Sequence, residues 1–435
     1  MPESRGSVRE IVWREVFPWL LLVRSFRAAT QVGQLALGSA GVLATIFGWW
    51  LLARVFSGTE EQPLADWIGA YESCPWRDVS PAAPQQTTPL PLSDAWQDAP
   101  PRLGRFPGNP FVGPWQQLRA PFVGLFHAEL GATGLAFLLL ACLWAAAVWA
   151  LFGGAITRRA ALQLGREENI GMRAALHYAA SKWGSYFAAP LLPLLGVAMA
   201  AVPVWLLGLV MRLDAGTLLA GILWPLALLA GFFMALLLLA LLFGWPLMWP
   251  TISTEGTDSF DALSRAWSYV YHRPLHYLFY AVIVSVLGWL GWLFVSTFAD
   301  WVAYLPEWAA SWGAGQARLA ELSGDLETEP GALGRWGWSL IGFWNGCIRL
   351  AALGFVYSYF WTASTAIYLL LRHDDDGTEI DDINVDSPAP AYGLPPLDVD
   401  AAGAPVVAKE EPNEIADPVE PPPGAGHSPD AEALG

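Results

Sequence analysis

An all-α polytopic membrane fold, a helical bundle with about six transmembrane helices, is predicted by three observations. The stretch from Gly216 to Thr254 contains no charged residue, and a helix needs only about 18–20 apolar residues to cross the roughly 30 Å hydrocarbon layer. Hydrophobic residues make up 54% of the chain and charged residues only 14%, against about 25% charged in soluble domains. The 25 tryptophans fit the same setting, because indole rings concentrate at the membrane–water boundary.

Taken in order, residues 1–31 form a basic, aromatic N-terminal amphipathic segment. The first apolar run begins near Val32 and is long enough to span, so it predicts a signal-anchor rather than a cleaved leader. The transmembrane domain covers 32–371, with spans at about 32–52, 131–153, 187–211, 217–244, 278–299 and 350–371. Residues 57–129 are rich in Pro and Trp and predict an irregular extracytoplasmic loop whose end, Trp115 to His127, grazes the membrane surface. A tight turn is expected around Arg212–Gly216, and a short helix over Glu307–Leu322.

Arg349 stands just before the sixth span. Leu350 to Leu370 alone gives a rise of roughly 31 Å, so Arg349 is expected to snorkel at the outer interface. The competing expectation is a functional charge facing a cavity inside the bundle. Trp336–Ile348 then extends the helix outward.

Thirteen Lys/Arg cluster on one side of the predicted spans, among them Arg24, Arg27, Arg158, Arg159, Lys182, Arg265, Arg273 and Arg372. The positive-inside rule places that side, and both termini, in the cytoplasm. The final segment, 372–435, is acidic: from His373 onward there are 16 Asp/Glu and a single basic residue, Lys409. With 11 prolines after Asp386 and few large apolar groups, it predicts a largely disordered tail. The net charge of −16 belongs almost wholly to this tail, so a basic nucleic-acid surface is excluded.

The spans read as three helical hairpins, each preceded by a cytoplasmic amphipathic helix. Ala175-Leu176…Ala179 before the third span is echoed by Ala262-Leu263…Ala266 before the fifth. The second segment places Phe260, Leu263, Trp267, Val270 and Tyr271 at helical spacing, which suits a helix lying in the headgroup plane. Thr257 or Asp258 suits its N-cap, and Pro274 a bend into the fifth span. Small residues recur every four positions at Ala36, Ala40, Ala44 and Gly48, and again at Gly346, Gly354, Ser358, Thr362 and Ala366. Such stripes favour close helix approach in lipid.

Candidate functional residues are few. Glu255-Gly256-Thr257-Asp258, followed by Asp261, is matched after the sixth span by Asp376-Gly377-Thr378-Glu379. These acid-Gly-Thr-acid segments suit a cytoplasmic docking surface, or simply a helix stop, a turn and a new cap. His272 and His276 share the i,i+4 spacing of zinc helices, but Pro274 lies between them and nothing completes the set. Aligning Gly377 with the sixth position of an EF-hand puts Arg372 and Ile383 where oxygen ligands belong, so a calcium loop fails. No Walker loop, nucleophile elbow or zincin helix occurs. No catalytic residue, cofactor or metal is expected, and the three cysteines are expected to be free thiols.

The segment Asp258–Pro274, with its flanking spans, resembles uncharacterised bacterial multi-pass proteins and the membrane domain attached to some glycerophosphodiester phosphodiesterases. The likeness covers about residues 130–375. It implies a helical membrane module with an accessory role; the phosphodiesterase barrel has no counterpart, so its activity does not carry over. The expected function is a non-enzymatic scaffold or accessory protein that organises cytosolic or membrane partners in the bilayer. The alternative is a transporter or channel for a small solute or lipid.

Overall fold

Uninterrupted apolar runs fold as helices because, away from water, a helix satisfies every backbone N–H and C=O within one segment. The computed structural model describes residues 17–56, 109–126, 131–323, 331–385, 398–399 and 405–406. They fall into two units, Met1–Asn384 and Val385–Gly435. In the first, α1 (Leu21–Ala29), α2 (Val32–Val55), α3 (Val112–Gly124), α4 (Ala132–Ala161), α5 (Met172–Ser181) and α6 (Trp183–Val210) precede α7 (Asp214–Glu255). Then follow α8 (Ser259–His272), α9 (Pro274–Ala314), α10 (Gln316–Ser323) and α11 (Ala332–Asp376). The second unit holds a short antiparallel pair, β1 (Asp398–Val399) with β2 (Pro405–Val406). Most of the segment expected to be disordered, like residues 1–16 and 57–108, lies outside the described residues.

Six helices are long and apolar enough to cross a membrane: α2, α4 with its π turn, α6, α7, α9 and α11. They correspond in order to the six expected spans. The long exposed rows on α6 and α7, such as Met199, Val202, Ile222, Leu226 and Phe232, are what a lipid-facing surface requires. Several boundaries run beyond expectation: α4 to Ala161 and α7 to Glu255, past the expected ends near 153 and 244. The fifth span continues as one helix to Ala314, taking Pro306 inside it without a break, and ends at Gly315 at φ +77°. The short helix expected over Glu307–Leu322 is therefore the end of α9 plus α10.

The sixth span is the hub. Every residue from Ala352 to Arg372 is buried, as expected of a helix that is apolar all round. It contacts α1, α2, α4, α7 and α9. Most of its hydroxyls are paired: Ser364 Oγ and Thr365 Oγ1 donate to the carbonyls of Phe360 and Trp361, Ser358 Oγ to Ala29, and the Tyr359 hydroxyl to Val284, while the Thr362 hydroxyl is buried without a partner. The small-residue stripe on α11 is buried from Gly354 onward. That on α2 meets the contact face only at Gly48: Ala40 and Ala44 are half-buried and Ala36 is exposed. The buried face of α2 is instead Gln34, Gly38, Gly41, Thr45 and Gly48, glycines permitting a closer approach than alanines. A Cβ built on Gly38 would stand 2.2 Å from the Gly354 carbonyl oxygen.

The helices that lead into spans share one mode of packing. α5 rests on α4, and α8 on α7 and α6. The two Ala-Leu-x-x-Ala segments turn their alanines inward: Ala175, Ala179, Ala262 and Ala266 are all fully buried. On α8, by contrast, Phe260 and Tyr271 are exposed. α1, ahead of the first span, packs on the last span, with Phe26 edge-on to Phe355. Ala266→Leu is expected to destabilise the fold by about 1–3 kcal/mol through overpacking, seen as a lower unfolding midpoint in detergent, with exposed Ser264→Leu silent.

Within the expected outer loop the structure departs most from the sequence reading. Trp115–Phe126 does not skim the surface, and His127 lies outside the described residues; α3 is driven between the spans. Asn109 Nδ2 donates to the Ser285 carbonyl (2.6 Å), Trp115 Nε1 to Leu242 (3.1 Å), and the Tyr357 hydroxyl donates to Gln117 Oε1. Ser285 lies eleven residues into α9, about 17 Å of helix rise from Pro274, so α3 starts near mid-depth. Phe111 packs there on Phe360.

Candidate functional site

Two places concentrate chemistry. The first is the polar end, where the last turns of α4, α7 and α11 meet the first turns of α6 and α9. A helix C-terminus leaves four carbonyls without intrahelical donors, and buried ones must be satisfied otherwise. At α7 they all are. The Ile252 carbonyl accepts from Gly256 N and the Tyr178 hydroxyl. Ser253 accepts from Arg158 Nη1 (2.6 Å), Thr254 from Asn384 N (2.7 Å) and Glu255 from Asn384 Nδ2 (2.9 Å). Lys182 Nζ closes the set on Gly256 O at 2.7 Å.

The cations sit where the helix macrodipole is negative. Arg158, only 4% exposed, also donates to the Asn384 carbonyl and lies 4.0 Å over the Tyr178 ring. Arg372 donates to the Asp382 carbonyl (2.8 Å) and carboxylate (3.1 Å). Residues 377–384 thus return as a strap across the end of the bundle. Ile383 plugs in at 4% exposure, against Gly165.

The expected docking residues divide here. Glu255 joins the network, paired with Arg265 at 2.9 Å and Arg372 at 3.7 Å and accepting from the Tyr368 hydroxyl. Asp376 accepts from Tyr269, a phenol that burial, reinforced by this carboxylate, pushes above its ordinary range. Gly256 and Gly377 both adopt left-handed conformations, at φ +67° and +66°, and end α7 and α11. Asp258 caps α8, accepting from Phe260 N and Asp261 N, and Asp261 sits in its first turn. The Thr257 hydroxyl is buried without a partner. The Thr378 carbonyl lies 3.0 Å from His373 Nδ1, and Glu379 lies exposed on the strap. Arg349 is half-buried, with its Nε shielded and unpaired. His272 bonds Asp375 rather than His276. Among the described residues no group of three or more His, Cys, Asp or Glu could hold a metal.

The second place is a groove of about 480 Å³ between α3, α4, α6 and α7, within the range of about 300–1,000 Å³ typical of ligand sites. Its inner wall is aromatic. Trp249 stacks on Trp361 at 4.2 Å and donates to the Tyr186 carbonyl, and Trp149 stacks on Tyr357 at 4.6 Å. Its rim includes Val123, Phe126 and Leu239, all well exposed. Arg119 is its single charged lining residue among the described residues.

Sequence reasoning missed Arg158, Asn384 and the groove. Arg158 registered only as a topogenic charge, and Asn384 has no local signal. No protein-family model, curated protein or solved structure matches the chain.

Proposed function

We propose that the chain is a non-enzymatic, lipid-handling protein of the bacterial inner membrane, which holds an acyl chain of a bilayer lipid in the groove beside α3. It is built from three hairpins, α2–α4, α6–α7 and α9–α11. The interfacial amphipathic helices α1, α5 and α8 brace them on the cytoplasmic side, where the Lys/Arg excess puts both termini. The packing of α1 on the last span, matching that of α5 and α8 on the spans before them, supports this cyclic arrangement.

The groove carries the reading. It is lined almost entirely by hydrocarbon and indole, and it opens between apolar residues on helices with membrane-spanning length. The phase at its mouth in a bilayer is acyl chain, and a groove with this lining has no competing polar ligand to offer pairing. The test is lipid co-purification. Wild-type protein is expected to carry bound lipid by mass spectrometry, and Ala146→Phe, which fills the groove from α4, to lose it about tenfold while remaining monodisperse. Wild-type protein free of lipid would sink the reading.

A scaffold organising cytosolic or membrane partners is the second reading. The exposed Phe260 and Tyr271 of α8 favour it. Its pull-down comparison must delete only residues after Val385, because residues 377–384 belong to the bundle.

A further inference from the structure

We propose that the groove selects anionic lipids, with Arg119 taking the headgroup phosphate; this rests on the acyl-chain reading above. Arg119 is held in place: its guanidinium lies 4.0 Å over the Trp115 ring, and Trp115 is fixed to α7 through the Leu242 carbonyl. It is only partly exposed and makes no salt bridge to a carboxylate among the described residues. The aromatic face offsets part of the charge, yet a cation against an apolar wall still calls for an anion.

Position agrees with that partner. α3 begins just after Asn109, near mid-depth, and rises away from the polar end, its Gly124 lying close to Leu138 near the start of α4. Arg119 is seven residues along α3 from Val112, about 10 Å of rise, within snorkelling reach of the opposite headgroup layer. A lipid whose chain lies along Trp149 and Trp245 brings its phosphate to the guanidinium, which binds phosphate oxygens in bidentate fashion. A zwitterionic lipid offers the same phosphate with its own cation beside it, so a net negative headgroup is preferred.

The full-length protein in mild detergent is offered phosphatidylglycerol and phosphatidylcholine of identical chains in equal amounts, and bound lipid is read by native mass spectrometry. Wild type is expected to favour phosphatidylglycerol about tenfold. Arg119→Gln should bring the ratio to about one while total bound lipid stays, and Arg119→Lys should retain a preference. Arg212→Gln, in the α6–α7 turn, should match wild type. Equal binding by wild type, or an unchanged ratio in Arg119→Gln, overturns the assignment while leaving acyl-chain binding intact. No bound lipid of either kind overturns the acyl-chain reading itself.

Discussion

Replacing Arg158 with methionine is expected to be among the most destabilising single changes in this protein. Methionine keeps much of the aliphatic stem but removes the donors to Ser253 and Asn384, leaving two carbonyls short of partners in a buried setting. Each such loss costs about 1–3 kcal/mol, and the favourable charge at the end of α7 goes with it. A total of about 2–5 kcal/mol follows, seen as a lower unfolding midpoint. A second readout is local: the strap should become a protease site at residues 377–384 before the spans unfold. Arg158→Met protein that melts and resists protease like wild type would show that the strap is held by other means.

Gly38→Ala should have an effect of similar size by a different route. Its Cβ would fall 2.2 Å from the Gly354 carbonyl oxygen and 3.2 Å from that residue's Cα. Those atoms are backbone and cannot rotate away, so α2 and α11 must separate along the contact. Overpacking a well-filled interface costs about 1–3 kcal/mol where side chains can yield, and here they cannot. Gly346→Ala is the control, because no atom lies within 4 Å of its added Cβ. Equal unfolding midpoints for the two variants would mean that the α2–α11 crossing is looser than described.

The contrast between those glycines marks where the sequence was legible. Hydropathy located all six long helices, because bilayer thickness imposes a length that composition reports directly. The acid-Gly-Thr-acid segments were legible as helix stops, since glycine tolerates the left-handed conformation at no Cβ cost. A stripe of small residues, in contrast, names a face without naming its neighbour. On α11 that face is buried from Gly354, while on α2 the alanines turned out beside the contact rather than in it. α8 shows the same limit: its aromatic spacing was visible, but of that face only Val270 is buried, and the rest of the buried side proved to be Ala262, Ala266 and Tyr269, set by what α6 and α7 offer. The segments that form the strap and α3 were noticed, but their docking into the bundle was not legible. Their stabilising partners lie more than a hundred residues away, as with Asn384 and Thr254 or Gln117 and Tyr357, and no local pattern encodes such a meeting.

The insertion of α3 carries a consequence for biosynthesis. Its 13 residues are too few to cross a bilayer, so the insertion machinery has no span to recognise. Its polar contacts are made to Leu242, Ser285 and Tyr357, all of which leave the ribosome after it does. α3 must therefore wait outside the membrane core while four more spans are threaded, and dock only when α11 is in place. The last of these helices to be synthesised thus completes the wall that the earlier ones leave open, and a chain interrupted before Tyr357 would leave the α3 side of the groove unfinished.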